Sequence, residues 1–491
     1  MQIILTDWLL YVELIYLLFL ILVALRIIYD SHSTSKALAY LLLIFFVPIL
    51  GVLFYFSFGI NYRKRKMYSK KLKADDVYGK NLNKRLQAIH QEFKQASSDL
   101  IEENKDLIRM LSNVNMGESP LLIENEVEIL KNGEVFFPRL LEDLKAAKKQ
   151  IHIEYYIYED DEIGNEVAEV LIQKAIEGVE VRFIYDDFGS RTIRKTLVRK
   201  LKAAGVEIFP FNRIIWIALA NRMNYRNHRK IVVIDGCIGY TGGINISDKY
   251  DNRKKEKNNL FWRDTHMRID GSGAYGLQHA FLCDWNFSSK QNLVISERFF
   301  PIIPNSLNKK TPVQIISSGP DSDLPSILYS VLQAIHHAKS EILITTPYYI
   351  PDESLQQAII MAAMSGKKVK ILVPGKSDSR LVKLASESYF EELLKVGVEI
   401  FRYNKGFVHA KTLVTDSDVT SIGTCNLDHR SFDLNFEVNA VIYDKEVANE
   451  MRAMFHEDCK HATRFDYNRW YKRSVWHRFK NSFIRLLSPL L

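Results

Sequence analysis

The chain has 491 residues, with 66 Lys+Arg against 58 Asp+Glu, a formal net charge of +8, 47% apolar and 25% charged residues. This composition excludes wholesale disorder and collagen-like repetition, and the length leaves room for two or three folded units. Cys237, Cys283, Cys425 and Cys459 are isolated, without CxxC pairing, which excludes a disulfide scaffold, disfavours a zinc ribbon and reads as reduced thiols. The basic balance is compatible with nucleic acid, a membrane surface or an anionic substrate, and alone selects none of them.

Apolar residues concentrate at the start. Trp8 to Leu25 is an eighteen-residue run with one charge, Glu13, and Ala37 to Ile60 is a twenty-four-residue run with none. As helices they measure ~27 and ~36 Å, against a hydrocarbon core of ~30 Å. Pro48 predicts a kink in the second. A cleaved signal peptide is the competing reading of the first run, but Asp7 stands where a leading cation belongs and no small-residue cleavage site follows. A two-helix membrane hairpin over residues 1–60 is the expectation. Arg63, Lys64, Arg65, Lys66, Lys70, Lys71 and Lys73 come next with no acid among them. The positive-inside bias then puts the N-terminus and everything after the hairpin in the cytoplasm of a cell-membrane, multi-pass protein. The same run suits anionic lipid, at about 1 kcal/mol per charge. Residues 61–115 read as a basic, helical linker.

Beyond it the sequence repeats. AKKQIHIEYYIYEDDE from Ala147 returns as AKSEILITTPYYIPDE from Ala338, GVEVRFIYDD from Gly178 as GKKVKILVPG from Gly366, and GVEIFPFN from Gly205 as GVEIFRYN from Gly397. Offsets of 191, 188 and 192 residues mark a duplicated unit, not a solenoid repeat. Each copy alternates strands with helical stretches, which predicts α/β sandwich lobes at 116–305 and 306–463, followed by a basic tail at 464–491.

Each copy carries one chemical constellation. In the first, His228, Lys230 and Asp235 form H-x-K-x4-D, followed by Gly242, Gly243 and Asn245; in the second, His409, Lys411 and Asp416 are followed by Gly423 and Asn426. One such motif arises by chance; two in register, each with a Gly-x-x-Asn tail, do not. His-x-Lys at a strand start turns both side chains to one side. An imidazole beside an ammonium and an amide suits a phosphodiester: Lys and Asn hold non-bridging oxygens while His attacks phosphorus or moves a proton. Pseudo-twofold packing of two sets supplies one nucleophile and one general acid.

At these residues the chain resembles the phospholipase D superfamily, over about residues 120–460, and within it the bacterial cardiolipin synthase family. The closer likeness rests on the N-terminal apolar pattern, NYRNHRKIVVIDG, YTGGINISDKY, FWRDTHMRIDG and the ending FIRLLSPLL. The second tail departs slightly, with Thr424 where the first has Gly243. The resemblance implies a phosphatidyltransferase with His228 and His409 as catalytic pair, Lys230, Lys411, Asn245 and Asn426 on phosphate, and Asp264 and Glu437 orienting the histidines, each assigned to the histidine of its own motif. Asp235 and Asp416 complete the catalytic sets, in a supporting role. It implies double displacement between two phosphatidylglycerols without metal or cofactor, His228 being the usual nucleophile; the residues themselves do not separate the two histidines. A phospholipase D-type hydrolase, a nuclease and a silent lipid-binding scaffold are the alternatives.

Two further segments admit two readings each. Arg213, Arg222 and Arg226 sit in an apolar insertion ahead of His228 that suits either lipid contact or packing on the lobe. The tail sets Trp470, Trp476, Phe479, Phe483 and Leu487 among cations, as an interfacial helix or one packed on the lobes. Residues 61–74 hold a net +7 and 464–491 a net +6, which leaves the remainder at −5. Positive charge is therefore confined to two segments, which favours anionic lipid over nucleic acid as partner.

Overall fold

The computed structural model describes residues 2–30, 34–56, 99–113, 119–211, 225–254, 260–303, 310–486 except 321, 323 and 417, and residue 488. The basic run at 61–74, Arg213, Arg222 and Leu487 lie outside the described residues.

The first apolar run forms helix α1 (Gln2–Asp30), in which Leu10–Asp30 is the one helix among the described residues long and apolar enough to cross a membrane. The second run has the expected kink at Pro48, sharper than a tilted span requires. It breaks into α2 (Thr34–Phe46) and α3 (Pro48–Phe54) at Val47, whose backbone leaves the helical region at φ −140° and ψ 72°. Pro48 causes the break, because its ring lacks an N–H and collides with the carbonyl four residues back. Helix α3 folds against α2, with Gly51 so near the Ile44 backbone that a Cβ would approach to 2.7 Å. Val23 and Ile27 of α1 pack on Ile44 and Tyr55, and the Tyr55 hydroxyl donates to Asp30 at 3.1 Å.

The first lobe is a seven-stranded sheet of β1 (Asn125–Lys131), β2 (Gln150–Tyr155), β3 (Glu180–Asp186), β4 (Glu207–Phe211), β5 (Ile231–Ile234), β6 (Ile238–Gly242) and β8 (Thr265–Gly271), with β7 (Phe261–Arg263) outside it. Its order is β1-β8-β6-β5-β2-β3-β4. The second lobe uses β9 (Val313–Ser318), β10 (Glu341–Thr345), β12 (Lys368–Pro374), β13 (Glu399–Tyr403), β15 (Thr412–Thr415), β16 (Val419–Gly423), β18 (Glu437–Tyr443) and β19 (Ala462–Arg464); β11 (Tyr349–Ile350), β14 (Gly406–Val408) and β17 (Leu427–Asp428) pair elsewhere. Its order, β9-β18-β16-β15-β10-β12-β13-β19, reproduces the first strand for strand and adds β19. The repeated sequence blocks are thus repeated structure. Strand β2 is buried along its whole length, as a strand covered by helices on both faces must be. The aspartates that close the first block in each copy cap the following helix: Asp161 accepts from the Gly164 N–H and Asp352 from the Leu355 N–H, both at 3.0 Å. Such caps contribute about 1 kcal/mol each.

The lobes join through backbone as well as side chains. Strand β7 pairs in parallel with β14, matching Phe261 to Gly406, Trp262 to Phe407 and Arg263 to Val408. Asn227 forms a parallel bridge with Phe436 in the pseudo-equivalent place. One apolar cluster runs through the seam, with Phe211, Phe281 and Trp285 of the first lobe against Phe436, Val438 and Ile442 of the second. Gly406 permits this approach, since a Cβ there would stand 1.9 Å from the Phe261 carbonyl oxygen. Gly406→Ala is expected to force β14 off β7, lowering stability by about 1–3 kcal/mol and collapsing activity, as read by thermal unfolding and turnover of the same preparation.

Candidate active site

His228 and Lys230 lead into β5, and His409 and Lys411 lead into β15. All four side chains are buried at the seam: His228 and His409 are each 8% exposed, Lys230 0% and Lys411 3%. The residues between them face away. Arg229 is buried in the first lobe with Asp284 at 2.5 Å and donates from Nε to the Glu437 carbonyl at 3.2 Å, whereas Ala410 simply fills space in the second. Lys230 donates to the His228 carbonyl at 2.8 Å, and Lys411 makes the same bond to His409.

The histidine partners are exchanged between lobes, which corrects the assignment of each carboxylate to its own motif. His228 Nδ1 meets Glu437 at 2.9 Å, and His409 Nδ1 meets Asp264 at 2.7 Å. The backbone is the cause. The His228 N–H donates to the Phe436 carbonyl at 2.9 Å and the His409 N–H to the Arg263 carbonyl at 2.7 Å. Each bond ends on the residue just before the opposing carboxylate, so lobe docking and histidine orientation are one event. With Nδ1 engaged, Nε2 of each ring is left for chemistry.

The departure at Thr424 has a structural reason. Gly243 lies so close to Asp264 that a Cβ would stand 2.0 Å from its Oδ1. In the second lobe Thr424 instead donates its hydroxyl to Glu437, which also takes the Asn435 amide at 3.3 Å. Asp264 takes the Thr265 N–H at 2.7 Å.

Asp235 and Asp416 are not beside the histidines, which corrects their grouping with the catalytic sets. Seven residues of extended chain put each about 23 Å from its histidine. Both sit in left-handed turns, at φ 51° and 53°. Asp235 accepts the N–H groups of Lys148, Lys149 and Gln150, and Asp416 those of Lys339, Ser340 and Glu341. Short acidic side chains tolerate the left-handed region and satisfy strand-start amides; the role is architectural.

The asparagines differ. Asn245 accepts the Ile157 N–H at 3.2 Å and donates to the Tyr250 hydroxyl at 2.6 Å. Buried Asn426 has no partner for its Oδ1 among the described residues. The site wall includes two residues that sequence reasoning did not single out. Tyr250 and Trp262 pack edge-on to His409, with ring centroids 5.7 and 5.5 Å away. Both lie inside sequence blocks that carry the family resemblance, the only signal for them. Tyr156 stands 5.0 Å from the His228 ring and 5.7 Å from Lys230 Nζ, while its neighbour Tyr155 points into the core. Arg226 turns inward, over the Phe188 ring at 4.5 Å.

Burial dominates the electrostatics. It lowers His228 to about 4 and His409 to about 3, assisted by both lysines and opposed by Glu437 and Asp264 respectively. Burial and the Lys411 charge lower Lys230 to about 7; burial lowers Lys411 to about 8 against the pull of Asp264 and Glu437. Burial alone would raise Asp264, but the His409 ring and the Lys411 charge outweigh it and hold the carboxyl below its ordinary value. The site thus has neutral imidazoles and ammonium groups poised to lose protons, an arrangement that suits an anion. Among the described residues no group of three or more His, Cys, Asp and Glu side chains converges as a metal site.

Two lobes of one topology, each delivering a His-Lys pair to a common seam, define a phospholipase D-type site for phosphodiester chemistry. The family model described as "Cardiolipin synthase, PLD-like domain" matches residues 140–268 and 331–459, and that described as "Phospholipase_D-nuclease N-terminal" matches 16–59. The major cardiolipin synthase ClsA of Bacillus subtilis (strain 168) is 40% identical over 486 residues, covering 98% of each chain. The cardiolipin synthase of Geobacillus sp. (strain WCH70) is 39% identical over 472 residues, covering 96% of this chain and 92% of its own. The crystal structure of phosphatidylserine synthase from Haemophilus influenzae Rd KW20 superposes with a TM-score of 0.58 at 15% identity, over 79% of this chain and 100% of that one, a likeness of fold. The chain belongs to the cardiolipin synthase family of phospholipase D-like proteins.

The charge states predict a pH profile. If Lys230 and Lys411 hold an anionic donor, both must be protonated, and kcat/KM should fall as pH rises through about 7 to 8. Attack needs a neutral imidazole, so it should also fall as pH drops towards about 4. A bound phosphodiester raises the lysine pKa values, so the alkaline limb of kcat should lie at higher pH than that of kcat/KM. Coincident alkaline limbs, or none below pH of about 9, would contradict the assignment of the lysines to phosphate.

Proposed function

We propose that the protein is a membrane phosphatidyltransferase that makes cardiolipin from two molecules of phosphatidylglycerol, releasing glycerol. The reading is carried by the two buried histidines, each fixed at Nδ1 by the other lobe's carboxylate, so that two Nε2 atoms serve one phosphodiester. Lys230 and Lys411 would hold the non-bridging oxygens, with Asn426 and Asn245 alongside. In the first displacement, Nε2 of one histidine, His228 in this reading, attacks phosphorus. The bond to the glycerol oxygen breaks, and His409 Nε2 gives that oxygen its proton. The product is a phosphatidyl-histidine. A headgroup hydroxyl of a second phosphatidylglycerol then loses its proton to His409 and attacks phosphorus; the P–N bond breaks and cardiolipin leaves. The proton borrowed in the first half is restored in the second, and bond energy is retained in the intermediate, so no nucleotide is consumed.

His409 must carry a proton at the first step although burial disfavours it. The entering phosphodiester supplies the remedy, because its negative charge offsets the repulsion from Lys230 and Lys411. Asp264, at 2.7 Å, stabilises the imidazolium that forms. Transfer in place of hydrolysis requires water to be scarce, and the aromatic wall of Tyr156, Tyr250 and Trp262 supports that. The long apolar helix α1 supports a membrane location. The run Arg63 to Lys73 favours lobes in the cytoplasm.

The test is purified protein with phosphatidylglycerol vesicles and no nucleotide, followed for cardiolipin, phosphatidic acid and glycerol. Cardiolipin and glycerol should appear in equal amounts, and phosphatidic acid as main product would make the protein a hydrolase. His228→Ala and His409→Ala should each cost about 10³-fold or more. Substantial turnover by His409→Ala would sink the paired-histidine scheme.

A further inference from the structure

The helix Val475–Arg485 has a sidedness that the site does not explain. Its inner face is clamped to the second lobe. Asn481 and Ile484 are buried, Arg478 pairs with Glu391 at 2.8 Å, and Arg485 pairs with Glu392 at 3.0 Å while lying 4.5 Å from the Tyr389 ring centroid. Just ahead of the helix, Arg473 covers the ring of buried Trp470 at 3.2 Å. At about 100° per residue, Val475, Trp476, Phe479 and Phe483 fall within an arc of about 100° on the other side. They are 79%, 81%, 62% and 58% exposed, and Leu486, 75% exposed, prolongs the row. The arginines that would normally face water are turned inward onto glutamates, and the aromatic row is held outward. A contiguous exposed apolar row of this kind marks an interaction surface.

We propose that this row seats the second lobe on an anionic phospholipid bilayer, with Trp476, Phe479 and Phe483 entering the headgroup region. Aromatic side chains favour that depth. Charge agrees: Arg464, Arg473, Arg478 and Arg485 are paired with glutamates of the lobe, while Lys480, about 40° around the helix from Trp476, and Lys472, just ahead of the helix, are exposed. Placement agrees as well. The helix packs on helix Arg380–Glu387, which begins two residues after Asp378. Asp378 accepts the Tyr348 hydroxyl at 2.5 Å, and its charge is felt by Lys411 in the site. The aromatic row is therefore fixed to the lobe that carries Lys411, through the helix Arg380–Glu387. With α1 in the bilayer and this helix on its surface, the lobes would be held to lipid at two points.

The test uses the full chain in nanodiscs of phosphatidylglycerol and phosphatidylcholine, with the Trp476 emission isolated as wild type minus Trp476→Phe. Lipids brominated near the headgroup should quench that component at least twofold, and its maximum should shift to shorter wavelength relative to detergent. Phe479→Ser with Phe483→Ser should remove both effects. The inference concerns where the lobe sits, not turnover, so the His228→Ala background must give the same result whatever the reaction proves to be. A Trp476 component that stays red-shifted and open to aqueous iodide in nanodiscs would overturn it. So would shielding that depends on protein concentration in detergent, which would assign the row to a second copy of the chain.

Discussion

Everything at the site depends on two hydrogen bonds that cross between the lobes, from the His228 N–H to the Phe436 carbonyl and from the His409 N–H to the Arg263 carbonyl. Each bond sets a histidine backbone against the residue preceding the other lobe's carboxylate. Side-chain contacts at 2.9 and 2.7 Å then follow from the register. Neither lobe alone contains an oriented histidine. The lobes meet so closely that a Cβ at Gly406 would collide with the Phe261 carbonyl, and a continuous apolar cluster runs through the seam. A pair of bonds that also docks two domains orients its imidazoles at little extra entropic cost, because the groups are already fixed.

The duplication is not perfectly symmetric, and the differences gather around the histidines. Arg229 ties the first motif to Asp284 and to the Glu437 carbonyl, whereas the second has Ala410. Glu437, the longer acid, is steadied by the Thr424 hydroxyl; Asp264, the shorter one, sits against Gly243 with no room for a side chain. His409 is walled by Tyr250, Trp262 and Phe407, and His228 by Tyr156. One histidine is held from behind by buried charge and the other by aromatic packing. The two histidines thus stand in unlike environments.

Much of this was legible in the sequence because it is local. Alternation of apolar residues and the repeated blocks specified strands, helices and their duplication, and the His-x-Lys spacing placed both side chains on one side of the strand approach. What sequence spacing hides is contact between segments 209 and 145 residues apart, and for that reason spacing alone pairs each carboxylate with the wrong histidine. Conserved-looking spacing also misleads when a residue serves the backbone: Asp235 and Asp416 repeat with the histidines because each closes the same turn. Pro48 showed as a kink, but sequence hydropathy does not reveal that the helix beyond it folds back. Trp470 and Trp476 look alike in the tail, yet the fold buries one and exposes the other.

The crossed pairing is most directly tested by nitrogen-15 histidine NMR of the full chain, with the His228 and His409 resonances assigned by their loss in the alanine variants. Glu437→Gln should move the Nδ1 resonance of His228 and leave that of His409 in place, and Asp264→Asn should do the reverse. If Glu437→Gln instead moved His409, or if both variants moved the histidine of their own motif, the lobes would not be joined as described.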